Sequence, residues 1–238
     1  MALQPAAGAR DLNPQQVESN QQLSKRLADV YRIWGYEEVS PPRVERLETL
    51  MAGGAIDSNN ILKVVAGEPL GLRPEMTTSI TRMASTRLEQ KSRPLRLWSS
   101  GTVFKCKELI ESGVSIEENL QSGIELFGVE GIQAEMELMT LLFEASKCLN
   151  LGVKNKTTLL IGHASFMDTI IGSLATDKKT VVRKILQKHN LLDLEQLPIE
   201  DYEKNLLKSI LNLRGEPFSV LNKFEDLFGQ NIYISNMK

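Results

Sequence analysis

Disulfide and metal ligands are scarce in this sequence. It holds two cysteines, Cys106 and Cys148, and two histidines, His163 and His189, among 238 residues. The cysteines form no paired C-x-x-C set, so neither a disulfide-stabilised secreted fold nor a zinc module is expected. We predict a protein of the reducing cytoplasm that uses no metal and no cofactor.

Long apolar runs and an excess of positive charge are missing as well. No stretch of about 18 apolar residues occurs, which argues against a membrane-spanning helix. Lysine and arginine number 28 against 30 aspartates and glutamates, so the formal net charge is -2. Proteins that bind nucleic acid mainly through phosphate contacts normally carry a basic excess. The composition therefore argues against a membrane protein and against a general nucleic-acid binder.

The common catalytic motifs are also absent. None of G-x-G-x-x-G, G-x-x-x-x-G-K-[ST], G-x-S-x-G and H-E-x-x-H occurs. Cys106 lies between two lysines but has no base placed to activate it, and His163 follows a predicted strand. We interpret both as packing residues and predict no catalytic residue.

Hydrophobic periodicity predicts a mixed first part and a helical last part. The predicted elements are a helix from Asn13-Pro14 to Gly35, a strand at 36–40, a hairpin at 61–73, a helix at 76–88, strands at 95–105 and 123–129, a helix at 133–149 and a strand at 157–161. We expect a bend or bulge at Gly101 and a long polar loop over residues 106–122. The predicted fold class is α+β, with a mainly antiparallel sheet flanked by helices.

Two short segments carry candidate binding residues. Glu75 and Thr77 place a carboxylate and a hydroxyl where a strand meets a helix. The pair can bind an ammonium group, or the glutamate can simply stabilise the helix start. Gln121 and Glu125 differ by four positions, so strand alternation puts both on one face of the sheet. That face either lines a pocket or meets solvent.

Read together, these segments resemble the class II aminoacyl-tRNA synthetases, and histidyl-tRNA synthetase in particular. The resemblance rests on GYEEVSPP, LRPEMTTSITR, RLWSSGTVFK with ENLQSGIELFG, and LGVKNKTTLLIGHASFMDTII, and it covers most of residues 10–175. It implies that Glu75 and Thr77 hold the α-amino group of histidine, that Gln121 is a further amino-acid contact, and that Glu125 meets the imidazole ring. A carboxylate against an imidazole N–H suits the selection of histidine.

Two departures set this chain apart from the charging enzymes. The F-R-x-E core of the second motif becomes Phe104-Lys105-Cys106-Lys107, so lysine replaces the arginine that holds the α-phosphate. Lysine cannot supply the bidentate fork of a guanidinium. The segment that follows carries four acidic residues, Glu108, Glu111, Glu117 and Glu118. A negative segment repels phosphates, so tRNA is not an expected partner.

The pattern is similar to the family of non-charging paralogues that serve as regulatory subunits of ATP phosphoribosyltransferase in the first step of histidine biosynthesis. The resemblance implies a short catalytic subunit of that enzyme as partner, a homodimer within a hetero-oligomer, and histidine as an effector. Two alternatives stay open. One is a divergent histidyl-tRNA synthetase or histidine-adenylating enzyme, and the other is a structural remnant that only oligomerises.

The third motif of the family is not found. No YYTG or GGRYD string occurs before the last residue, Lys238. We therefore expect a truncated synthetase-like fold that lacks the last strands of the sheet. Residues 1–175 are assigned to this partial domain, and residues 176–238 to a helical region that resembles the insertion of the family.

Overall fold

The computed structural model describes residues 3–54, 56–109, 113–151 and 158–229. The chain forms two compact units, Met1–Thr157 and Thr158–Lys238. This division lies ahead of the domain boundary predicted at residue 175, because the helix Ala164–Ser173 packs into the core of the second unit. The boundary at residue 175 separates the synthetase-like domain from the helical region, whereas the two units are defined by their compactness. The predicted domain boundary therefore stays a prediction.

The first unit combines two small sheets with helices, as the α+β prediction required. Its helices are α1 (Pro14–Ile33), α2 (Leu47–Met51), α3 (Thr77–Ser85) and α4 (Ile132–Cys148), with a short 3-10 turn at Ser58–Asn60. Its strands are β1 (Glu37–Glu38), β2 (Val44–Arg46), β3 (Lys63–Val64), β4 (Leu70–Leu72), β5 (Leu95–Leu109) and β6 (Gly113–Phe127).

The main sheet is the middle layer of the first unit. Strand β1 pairs parallel with β5, and β5 pairs antiparallel with β6 along its whole length. On one face, Ile80 and Ala84 of α3 pack against Leu95 and Leu97. On the other face, α1 and α4 pack against Trp98, with Tyr31 and Leu141 buried in that layer. Burial of these apolar side chains is the main force that holds the layers together.

Helix α1 begins where the sequence predicts it. The Asn13 side chain accepts a hydrogen bond from the Gln16 backbone N–H at 2.9 Å, and the Gln16 side chain accepts one from the Asn13 backbone N–H at 3.0 Å. This reciprocal capping box satisfies two donors that a helix start otherwise leaves free. Pro14 follows at the first helical position, where its missing N–H costs nothing.

The second sheet positions the start of α3. Its strand order is β2-β4-β3, and both pairings are antiparallel, which confirms the predicted hairpin around residues 61–73. Glu45 of β2 is buried, and its Oε1 accepts a hydrogen bond at 2.6 Å from Nη2 of Arg82 on α3. The ion pair attaches α3 to this sheet.

Three local predictions are wrong. Residues 106–109 and 113–122 are strand rather than loop, because β5 and β6 continue pairing from Leu95↔Phe127 to Leu109↔Gly113. No bulge interrupts β5 at Gly101, which pairs directly with Gln121. Residues 158–161 form no strand, and Thr157 lies outside the described residues.

The second unit is helical, as predicted for the end of the chain. Its helices are α5 (Ala164–Ser173), α6 (Lys179–Lys188), α7 (Leu191–Gln196), α8 (Asp201–Leu211) and α9 (Pro217–Phe228). They share one core in which Val182, Leu194 and Leu207 are fully buried. Across the described ranges of both units, no helix is long and apolar enough to cross a bilayer.

Candidate functional site

Glu75 lies just before the N-terminus of α3, three residues after the end of β4. Its Oε2 accepts a hydrogen bond from the Thr77 backbone N–H at 2.5 Å, and its Oε1 accepts one from the Thr78 backbone N–H at 2.9 Å. The carboxylate therefore stabilises the helix start, which is the plainer of the two interpretations of this segment. Because each carboxylate oxygen has two lone pairs, the group can still accept hydrogen bonds from a ligand.

Gln121 and Glu125 lie on the face of the main sheet that α3 covers. Gln121 pairs with Gly101 and Glu125 pairs with Leu97, and directly opposite residues of an antiparallel pair share a face. Leu97 packs against α3 in the buried core of this face. Both polar side chains are half-buried, so the strand turns them toward α3.

The structure brings Glu125 together with Glu75 and Thr77. Burial raises the pKa of the Glu125 carboxyl, a hydrogen bond with the Thr77 side chain acts in the opposite direction, and the charge of Glu75 raises the pKa further. Two carboxylates that share a half-buried site repel each other unless a cation lies between them. This end of the site therefore favours a positively charged ligand group.

An open space lies between Gln121 and Glu125, above Gly123. A Cβ atom built on Gly123 would meet no atom within 4 Å. Oε1 of Gln121 is buried and has no hydrogen-bond partner within the described part of the chain. We call the group formed by Glu75, Thr77, Gln121 and Glu125 around this space the cradle. It offers one unpaired amide oxygen and two carboxylates to a small polar molecule.

The lysine that replaces the phosphate-binding arginine of the synthetases lies farther out on β5. Lys105 is exposed and lies directly opposite Glu117 in the strand register. A point charge beside a carboxylate is a poor phosphate ligand. Glu118 follows on β6, whereas Glu111 and the side chains of Lys107 and Glu108 lie outside the described residues.

Sequence reasoning missed one buried residue next to this site, Arg73. Its side chain is 3% exposed. Nε donates to the Thr102 carbonyl oxygen at 3.1 Å, and Nη1 donates to the Pro41 carbonyl oxygen at 2.8 Å. Arg73 thus joins the start of α3 to β5 and to the prolines after β1. The only sequence signal was its place before Pro74-Glu75, which indicates a helix start rather than a buried cation.

The layered sheet, the long hairpin and the cradle at the start of α3 define a class II aminoacyl-tRNA synthetase-like domain. Residues 8–232 match the family described as Histidyl-tRNA synthetase. The chain belongs to this family, which confirms the predicted fold.

Its curated relatives carry the name of the regulatory subunits that the sequence resembles. The chain is 57% identical to the ATP phosphoribosyltransferase regulatory subunit of Prochlorococcus marinus (strain MIT 9313), over 100% of its own length and 61% of that protein. It is 54% identical to the protein of the same name from Synechococcus sp. (strain CC9902), over 97% of the chain and 59% of that protein. The predicted resemblance is confirmed, and the chain spans about 61% of the length of its first relative.

Solved structures share the fold at lower identity. An ATP phosphoribosyltransferase regulatory subunit/histidyl-tRNA synthetase from Bacillus halodurans C matches 99% of this chain and 62% of its own, with a TM-score of 0.84 and 23% identity. Histidyl-tRNA synthetase from Nostoc sp. PCC 7120 matches 100% of this chain and 56% of its own, with a TM-score of 0.76 and 17% identity. At these sequence identities, the two matches show that the fold is shared and nothing further.

Proposed function

We propose that this chain acts as a non-catalytic regulatory subunit of ATP phosphoribosyltransferase in the first step of histidine biosynthesis. It activates the short catalytic subunit and makes the assembly sensitive to histidine. The names of the curated relatives, which match 100% and 97% of the chain, support the regulatory role. Feedback requires that histidine bind the inhibited assembly more tightly than the active one.

The observation that carries the effector part of this proposal is the meeting of Glu75, Thr77 and Glu125 beside the space above Gly123. The α-ammonium group of histidine suits Glu75 and the Thr77 hydroxyl, because both offer oxygen acceptors. The imidazole N–H suits Glu125, whose half-buried carboxylate gains a positive or polarised partner. Gln121 supplies an amide at the other side of the same space.

The absence of charging chemistry is proposed from the hairpin. Lys105 stands where the synthetases carry their phosphate-binding arginine, and Glu117 lies opposite it. Acidic side chains near the triphosphate path oppose the binding of both ATP and tRNA. A divergent synthetase remains the alternative, and histidine-dependent exchange of pyrophosphate into ATP identifies it. We expect no exchange from the purified chain.

The assembly and location follow from the same proposal. The partner is the short catalytic subunit, the chain forms a homodimer within the hetero-oligomer, and neither tRNA nor a membrane is involved. The cytoplasm, predicted from the two cysteines, is the compartment in which such a biosynthetic assembly works. Both cysteines are free.

Reconstitution with the short catalytic subunit tests the proposal. We expect phosphoribosyl transfer to rise when the chain is added, and added histidine to lower it again. Glu125→Ala should retain activation but lose most of the inhibition. Glu75→Ala removes a helix cap as well as a ligand contact, so Glu75→Gln, which keeps an acceptor oxygen without the charge, is the matched variant. Failure of the chain to activate contradicts the regulatory role. Unchanged inhibition in both alanine variants contradicts the cradle as the effector site.

A further inference from the structure

Arg73 carries free hydrogen-bonding capacity in a buried place. Its Nε and Nη1 atoms are engaged by the carbonyl oxygens of Thr102, Pro41 and Pro42. Within the described part of the chain, Nη2 has no hydrogen-bond partner. Nη2 is not one of the buried side-chain atoms that lack a partner among the described residues, so this end of the guanidinium is accessible to solvent or to a ligand.

Nη2 lies over Gly101, on the α3 side of the sheet. A Cβ atom at Gly101 would approach Nη2 to 2.6 Å, so the end of the guanidinium occupies the place of the missing side chain. Gly101 pairs directly with Gln121, whose side chain therefore points from the same face. Oε1 of Gln121 is itself buried without a partner among the described residues. The guanidinium of Arg73 and the side chain of Gln121 thus lie at the same end of the cradle.

The charges along this face run from positive to negative. Arg73 lies at the Gln121 end, the open space above Gly123 follows, and Glu125 lies at the other end with Glu75. Burial and the neighbouring charge of Arg43 lower the pKa of Arg73. The charge of Glu45 acts to raise the pKa of Arg73, but the Oε1 atom of Glu45 accepts its 2.6 Å hydrogen bond from Arg82. Within the described residues, the hydrogen bonds of Arg73 all go to backbone carbonyl oxygens and none goes to a carboxylate.

We propose that Arg73 binds the carboxylate of the ligand, so that the cradle reads both charges of a free amino acid. Glycine is needed at position 101 because the guanidinium must pass over the strand to reach the ligand. This inference rests on the proposed binding of histidine in the cradle, and it adds a selectivity for the free carboxylate over amine or alcohol analogues. The planar fork of arginine matches a carboxylate in a way that the distant Lys105 does not.

Comparing L-histidine with L-histidinol, in which an alcohol replaces the carboxylate, tests this selectivity. We expect titration calorimetry on the purified chain to give histidine an affinity at least about tenfold higher, as for the loss of a charge-assisted hydrogen bond. Gly101→Ala should bring the two affinities close together, because the new methyl group displaces the flexible end of Arg73. A thermal unfolding curve confirms that the variant is folded.

Lys105→Ala is the matched control, because it removes a cation from the same face of β5 without touching the cradle. It should leave the histidine-to-histidinol ratio unchanged. Equal affinities in the unaltered chain overturn the role of Arg73 while histidine binding still stands. Loss of the preference in Lys105→Ala, with its retention in Gly101→Ala, assigns the carboxylate to Lys105 and overturns the proposal. Binding of neither ligand contradicts the proposed histidine site and the inference together.

Discussion

Glu137 on α4 connects three parts of the first unit through one carboxylate. Arg96 of β5 donates to both of its oxygens, at 2.7 and 2.8 Å, and the buried Tyr36 hydroxyl donates to Oε1 at 3.0 Å. The hydrogen bonds from Arg96, opposed by desolvation and helped by Tyr36, hold the pKa of Glu137 below its ordinary value of 4.5. A charged group that is hydrogen-bonded to partly buried partners stabilises the fold more than an exposed ion pair does.

We expect Glu137→Gln to lower the free energy of unfolding by about 2 kcal/mol, because charge-assisted hydrogen bonds are lost. The folded-state pKa lies below the unfolded one, so this stabilisation is present at neutral pH and disappears as the pH falls through the folded-state value. Urea unfolding at several pH values measures it. Glu37→Gln, which breaks the exposed pair with Lys91, is the control and should change little. Equal effects of the two variants would contradict this account.

The contribution of Glu125 to stability should depend on pH in the opposite sense to that of Glu137. The pKa of Glu125 is raised above 4.5, chiefly by burial, so its contribution favours the folded state at low pH and is lost as the pH rises through the folded-state value. We predict that Glu125→Gln unfolds at a higher temperature than the unaltered chain at pH 7, and that the difference shrinks toward acidic pH. A variant that is less stable at pH 7 would contradict this prediction. A site that is strained until its ligand binds is a common cost of function.

Single residues show where sequence reasoning succeeded and where it failed. The spacing of Gln121 and Glu125 was enough to place both on one face, because strand alternation is a local property. Gly101 was interpreted as a bend, yet its backbone pairs regularly, and its real constraint is the guanidinium of Arg73. Such a contact joins residues far apart in the chain, so no local pattern could reveal it.

The β5–β6 hairpin shows that a local sequence pattern can also miss a whole element. Its outer part is rich in charged residues, which in a single sequence resemble a solvated loop. In the structure, residues 105–109 and 113–118 belong to two paired strands, and Lys105 lies opposite Glu117. Cross-strand pairing of opposite charges stabilises such strands, but the pairing is visible only once the register is known. The capped start of α1, by contrast, is encoded within four residues and was predicted correctly.

A buried carboxylate organises the connection between α5 and α6 in the second unit. Glu203 is 1% exposed, and its Oε1 accepts hydrogen bonds from the backbone N–H groups of Ala175 at 2.8 Å and Thr176 at 3.3 Å. These two donors lie in the segment that links the helices. Because the segment has no regular structure of its own, the side chain takes the place of a backbone partner.

We expect Glu203→Ala to destabilise the second unit by about 2–3 kcal/mol, since it removes the hydrogen bonds that two backbone N–H groups donate to a buried carboxylate. Hydrogen exchange should show the loss of protection at Ala175 and Thr176 and along α8. Glu200→Ala, at an exposed position just before α8 that makes no capping bond, is the matched control. Similar exchange in the two variants would show that the Glu203 contact contributes little.

For the molecule as a whole, the sequence was enough to predict the fold class. Periodicity distinguished the mixed part from the helical part because each has its own repeat of apolar residues. Compactness, however, depends on which helices share a core, and α5 shares the core of the second unit. All four residues of the cradle lie within the first unit.

The central claim is that the space above Gly123 receives histidine. Its most direct test is a calorimetric titration of L-histidine into the unaltered chain and into Gly123→Val. Valine suits a strand and meets open space, so the variant should remain folded and its unfolding temperature should not fall. The account predicts that histidine binds the unaltered chain at one site and does not bind the variant. Equal binding by both proteins, or no binding by a properly folded unaltered chain, would contradict it.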